Sequence, residues 1–170
     1  GRKIMIKNLA DLIKIRDEYA GRIAFRQNRD AKTDGKYEKH VLICGGTGCT
    51  SSKSVQIKAK MEEAIKNAGI ADKVQVVLTG CFGLCALGPI VIVYPEGTFY
   101  SRIELDNVDE IVNEHLVGGN PVKKLLYSET VKGDQILSLN ETAFYKKQKR
   151  VALRNCGLID PDNIEEYIAM

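Results

Sequence analysis

The sequence predicts an α/β domain, and three observations carry that prediction. Short apolar runs of strand length recur at 40–44, 74–79, 90–94 and 99–103. Between the first two lies a stretch whose apolar residues follow the helical repeat. A second helical stretch, 107–117, follows the last strand and is stopped by Gly118, Gly119, Asn120 and Pro121. At 170 residues the chain is long enough to bury an ordinary core without disulfide staples.

Taken in order, the first element is a helix from Asn8 to about Gln27. Asn8 and Asp11 resemble a capping box, and Leu9, Leu12, Ile13, Tyr19, Ala20, Ile23 and Ala24 form one stripe. The polar residues from Arg29 to Lys36 mark a linker. Strand 40–44 ends in Cys44, and loop 45–50 carries Cys49. The next helix is expected from Ser51 or Ser52 as N-cap to Ala68, with Gly69 closing it and Ile57, Met61, Ala64, Ile65 and Ala68 buried. Strand 74–79, a loop with Cys81 and Cys85, and a hairpin of 90–94 and 99–103 turning at Pro95-Glu96-Gly97 complete the sheet. Helix 107–117 points Val108, Ile111, Val112 and Leu116 inward. The order βαβ, β-hairpin, α is that of a thioredoxin-like domain, here with an N-terminal helix and an extended C-terminal tail.

The expected divisions are 1–38 for the helix and linker, 39–119 for the thioredoxin-like domain, 120–140 for a connector and 141–170 for a further, truncated unit. In that last unit, 151–153 reads as a short strand, and Asp160-Pro161-Asp162-Asn163 as a helix start. Gly1 and Met170 read as the ends of a fragment.

No stretch approaches the roughly 18 apolar residues of a membrane span, and the start lacks a signal-peptide core. The expectation is a soluble, cytoplasmic protein with no membrane partner. A net charge of +3 is too small to argue for nucleic acid. The basic run Lys146, Lys147, Lys149, Arg150 and Arg154 has no interleaved aromatic platform and reads as a solvated face. In a reducing compartment, clustered cysteines are metal ligands or redox groups more often than staples.

Cys44 and Cys49 form a CxxxxC pair, and Cys81 and Cys85 a CxxxC pair. A zinc knuckle usually has two residues between ligands in at least one pair, and neither pair does. A [2Fe-2S] cluster needs two thiolates on each iron and tolerates wider loops. The surrounding glycines let backbone wrap closely and offer N–H donors, and a helix starting near Ser51 points its positive end at Cys49. These features favour the cluster. A zinc ion and a dithiol redox pair remain as alternatives, the latter weakened because thioredoxin-type chemistry uses CxxC. "GGTGCTSSKS" lies where a phosphate loop would, but Ser51 replaces the third glycine of GxGxxG, and Ser52 stands where a Walker glycine should precede Lys53-Ser54. His40 and His115 read as ordinary surface or half-buried residues.

"CGGTGCTSSKS" together with "TGCFGLCALGPIVIVYPEGTFYSRI" resembles the thioredoxin-like [2Fe-2S] ferredoxin domain of respiratory complex I and its flavoprotein relatives. The tail "FYKKQKRVALRNCGLIDPDNIEEYI" resembles the opening of the NADH-binding flavoprotein domain, as in the beta subunit of NAD(P)-linked, electron-bifurcating [FeFe]-hydrogenases. That resemblance implies a one-electron carrier module of a multisubunit oxidoreductase, with Cys44, Cys49, Cys81 and Cys85 as cluster ligands. Its partners would be the rest of the flavoprotein subunit and other hydrogenase or dehydrogenase subunits; FMN and further iron-sulfur clusters would belong only to the full-length parent. Alternatives are the equivalent subunit of an NADH:quinone oxidoreductase or an NAD-dependent formate dehydrogenase, or a zinc-stabilised interaction module. Cys156 is expected to lie outside the compact domain, as a small packed side chain with no part in the cluster.

Overall fold

The computed structural model describes residues 6–27, 32–127 and 142–170. The linker reading over 29–31 and most of the connector, 128–140, fall outside the described residues.

Helix α1 spans Leu9–Gln27. Asn8 Oδ1 accepts from Asp11 N at 3.0 Å, while Asp11 Oδ2 accepts from Lys7 N at 2.8 Å, so the reciprocal cap reaches one residue further back than the expected box. The buried face also differs from the expected stripe. It consists of Ile15, Ile23, Phe25 and Arg26, while Leu9 and Ile13 face solvent. The buried Arg26 explains the shift, because a face chosen by hydrophobicity alone omits it.

Strands β1 (Lys39–Cys44), β2 (Val74–Thr79), β3 (Val91–Tyr94) and β4 (Thr98–Tyr100) form one sheet in the order β2-β1-β3-β4. β1 pairs with β2 in parallel and with β3 antiparallel, and β3 pairs antiparallel with β4. Successive side chains alternate between faces, and both faces are covered. Val41, Ile43, Val91, Val93 and Tyr100 join one buried cluster with Ile57, Met61, Ile65, Val108 and Ile111 from the helices. Leu42, Cys44, Ile92, Tyr94 and Phe99 join another with Phe25 of α1, Cys49 and Phe82.

Two short-range surprises shape the connections. Cys49 lies in a five-residue helix, α2 (Thr47–Ser51), and the main helix α3 begins only at Ser54, running to Asn67. Lys53, at φ 69°, breaks the path between them, so the expected serine N-cap is replaced by a left-handed lysine with no side-chain cap. At the other end Gly69, at φ 72°, donates its N–H to Lys66, and Ile70 donates to Ile65, a closing turn that a left-handed residue allows. The last domain helix, α4 (Val108–Glu110), widens into a π-helical run, Ile111–Val117, before the glycine pair.

The tail holds α5 (Ala143–Lys146), capped by Thr142 Oγ1, and α6 (Ile164–Ala169), capped by Asn163 Oδ1 accepting from Glu165 N and Glu166 N. Residues 152–158 form consecutive turns where a strand over 151–153 was expected. Arg150 Nη1 donates to Cys156 O, and Cys156 N to Leu153 O, which folds the segment on itself and leaves Val151 and Leu153 exposed.

α6 packs on α1. Arg26 and Glu166 make a doubly hydrogen-bonded ion pair at 2.7 and 3.0 Å, with both side chains fully buried. Among the described residues no helix is long and apolar enough to cross a membrane.

Candidate metal centre

Parallel pairing puts Cys44 opposite Thr79 at the ends of β1 and β2, so the two cysteine loops leave the sheet side by side. Gly45 N donates to Thr79 O at 2.8 Å, tying the first loop to the end of β2, and Cys44 N donates to Ile90 O at 3.0 Å, tying the end of β1 to the end of the second loop. The loops then interlock. A Cβ on Gly46 would stand 2.9 Å from Cys81 Sγ, and one on Gly88 2.6 Å from Cys49 Sγ. A Cβ on Gly48 would meet Cys85 Sγ at 3.7 Å. The four cysteines expected to act together are therefore brought to one place, with each loop's glycines leaving room for the other loop's sulfurs.

The thiols are arranged as two pairs. Burial pushes the Cys49 thiol up to about 12, reinforced by the hydrogen bond and charge of Cys44 beside it. The Cys85 thiol is raised chiefly by the charge of Cys81, and also by their hydrogen bond. Among the described residues no three His, Cys, Asp or Glu side chains are grouped as ligands of one metal ion. Two thiol pairs suit the two irons of a [2Fe-2S] group, each of which takes two thiolates. Gly83 N donates to Cys81 Sγ at 3.3 Å, the kind of N–H that compensates sulfur charge. The pairs differ in access: Cys44 and Cys49 are 1% and 2% exposed, Cys81 is half-buried and Cys85 faces solvent.

The helix dipole expected to act on Cys49 belongs elsewhere. Cys49 sits inside α2, and α3 starts beyond the break at Lys53. Cys156 corrects another expectation, because the tail folds back and its Sγ stands 3.1 Å from where Gly80 would carry a Cβ. Beside it Gly157, at φ 84°, packs against the Phe82 ring, and Gly157 N donates to Thr79 Oγ1 at 3.2 Å. Tyr145 Oη donates to Phe82 O between the two outer cysteines. Sequence periodicity carries no trace of Tyr145 at this site, since its partner Phe82 lies far away along the chain, and Arg150 comes with it through contacts to Tyr145 and Cys156.

Both histidines are fully buried rather than half-exposed, and neither joins the sulfurs. His40 is the second residue of β1, four residues before Cys44. Arg26 Nε donates to its Nδ1 at 3.0 Å, so the ring is neutral there and Nε2–H donates to Asp34 Oδ2 at 3.0 Å. Burial, with Arg26 second, lowers its pKa from 6.5 to about 4. His115 Nδ1 is hydrogen-bonded with Tyr100 Oη at 2.8 Å, and the same hydroxyl accepts from Val122 N at 3.0 Å.

The family model for thioredoxin-like [2Fe-2S] ferredoxins matches residues 3–116. A 2Fe-2S ferredoxin of Clostridium pasteurianum is 44% identical over 94 residues, covering 51% of this chain and 92% of that one. A cysteine-to-serine variant of the thioredoxin-like [2Fe-2S] ferredoxin from Aquifex aeolicus, solved by crystallography, superposes with a TM-score of 0.50 at 32% identity, over 54% of this chain and 99% of the other. The NADP-reducing hydrogenase subunit HndC of Solidesulfovibrio fructosivorans is 59% identical over 29 residues, which are 17% of this chain and 6% of that subunit.

Proposed function

The chain belongs to the thioredoxin-like [2Fe-2S] ferredoxin family, and we propose that Cys44, Cys49, Cys81 and Cys85 hold its cluster within an NAD(P)H-linked multisubunit oxidoreductase. The family makes it an electron carrier related to a hydrogenase subunit. The observation that carries the ligand assignment is the interlocking of the two loops, which seats four sulfurs as two pairs among glycines.

When bound, the cluster takes up and gives up a single electron. The chain's residues do the rest. Cys44 and Cys49 anchor the inner side in the apolar cluster with Phe82, Leu42 and Ile92, which keeps water away. Cys85 presents the outer side to solvent, where a partner carrier can approach. Gly83 N–H holds the Cys81 sulfur.

The parent is proposed to be a bifurcating hydrogenase, with 141–170 as the opening of its flavoprotein domain and the other hydrogenase subunits as partners. Two observations support this. The ferredoxin of C. pasteurianum matches only about half of this chain, and the chain also shares a short, strongly identical segment with the hydrogenase subunit. Replacing each of Cys44, Cys49, Cys81 and Cys85 by serine in turn tests the ligand set. Each variant is expected to lose or markedly alter the visible absorption and the EPR signal of the reduced protein. Unchanged spectra in any one variant would remove that residue from the set.

A further inference from the structure

The folded-back tail lays a cation beside the cysteine loop. Tyr145 packs in the same buried cluster as Cys44, Cys49 and Phe82, and its hydroxyl donates to the Phe82 carbonyl, next to Cys81. Arg150 lies over the Tyr145 ring at 4.8 Å, with Nη1 2.9 Å from Cys156 O and 3.4 Å from Tyr145 Oη. Cys156 in turn abuts Gly80, and Gly157 abuts Phe82 and Thr79. The guanidinium is thus held by three contacts to Tyr145 and Cys156, the two residues that the tail rests on Phe82 and Gly80 of the cysteine loop. Its sequence neighbours Lys146, Lys147, Lys149 and Arg154 are exposed, whereas Arg150 is half-buried. Among the described residues Arg150 makes no ion pair.

We propose that Arg150 is a positioning residue that sets the reduction potential of the cluster, raising it by holding a fixed positive charge and the Tyr145 clamp against the outer cysteine loop. This rests on the ligand assignment above. One-electron reduction adds one negative charge and moves no proton in this scheme, so a fixed cation nearby favours the reduced state. Partial burial limits the screening that would erase the effect at a fully exposed site. The tyrosine hydroxyl feels the same charges: burial pushes its pKa up, Arg150 pulls it back, and Cys81, Cys44 and Cys156 push it up again.

The test is a potentiometric titration, followed by EPR, of the oxygen-free holoprotein and of Arg150→Gln, Arg150→Lys and Lys147→Gln, with iron content and absorption recorded on each sample. Arg150→Gln is expected to lower the reduction equilibrium constant about tenfold, which is about 59 mV for one electron. Arg150→Lys should restore most of that shift, and Lys147→Gln, from the exposed part of the same run, should change nothing. An unchanged potential in Arg150→Gln overturns the proposal. So does an equal shift in the glutamine and lysine variants, or loss of iron in Arg150→Gln, since either would make the role purely structural. A wild-type chain without a two-iron signal would instead overturn the ligand assignment, and the proposal with it; the iron and absorption data separate these failures.

Discussion

Gly88 stands where a methyl group would lie 2.6 Å from Cys49 Sγ and 3.3 Å from Cys85 O, one contact in each sulfur pair. Neither can yield easily, because Cys49 is buried and Cys85 O is backbone that accepts from Gly88 N. Gly88→Ala is therefore expected to lose most of the bound iron, while Gly48→Ala, whose methyl would meet Cys85 Sγ at an ordinary 3.7 Å, should keep it. Iron per chain in the two purified variants checks this; equal retention would show that the loops have slack. At this scale the cysteines were legible in the sequence because ligand spacing is local chemistry, and the glycines because small residues mark close approach. Tyr145, Arg150 and Cys156 were not. Tyr145 reaches Phe82 and Cys156 reaches Gly80 across most of the domain, and no periodicity encodes such contacts.

Strand positions were the most legible elements, since apolar runs buried on both faces have few other readings. Helix edges were less so. Ser51 and Ser52 look like caps, yet the left-handed Lys53 starts α3 two residues later. The inward face of α1 was misjudged because its partner is α6, through Arg26 and Glu166. Breaking such a buried pair commonly costs about 3–5 kcal/mol. His40 extends this network to Asp34, whose carboxyl burial alone would raise but which N–H donors from Tyr37 and Lys36 and the imidazole hold below its usual range. The folded protein keeps His40 neutral, with a pKa lowered from 6.5 to about 4, so the unfolded chain binds the extra proton first. The stabilisation is complete above pH 6.5 and is lost as pH falls toward 4, on the order of 3 kcal/mol for this group. His115 is lowered to about 4 by burial and adds a similar loss. Urea midpoints measured from about pH 7 to about pH 5 should fall in the wild type and fall about half as steeply in His40→Gln. Identical slopes would mean that His40 is not neutral in the fold.

Over the whole molecule, the sheet is a partition. One face carries α3 and α4 on an aliphatic core, and the other carries the sulfurs, Phe25 of α1 and Tyr145 of the tail. The first helix and the tail read as appendages because each finds its partner in the other, far away along the chain. Folded, they meet through a buried charge pair and cover the sulfur-bearing face. That arrangement suits the proposed electron relay, with a buried inner pair, a more open outer pair and the Arg150 cation packed on Tyr145. Iron, zinc and acid-labile sulfide analysis of protein prepared without oxygen, with EPR after one-electron reduction, tests this most directly. Two irons, two sulfides and a single-electron signal per chain are predicted; a colourless protein holding zinc and no sulfide would contradict it.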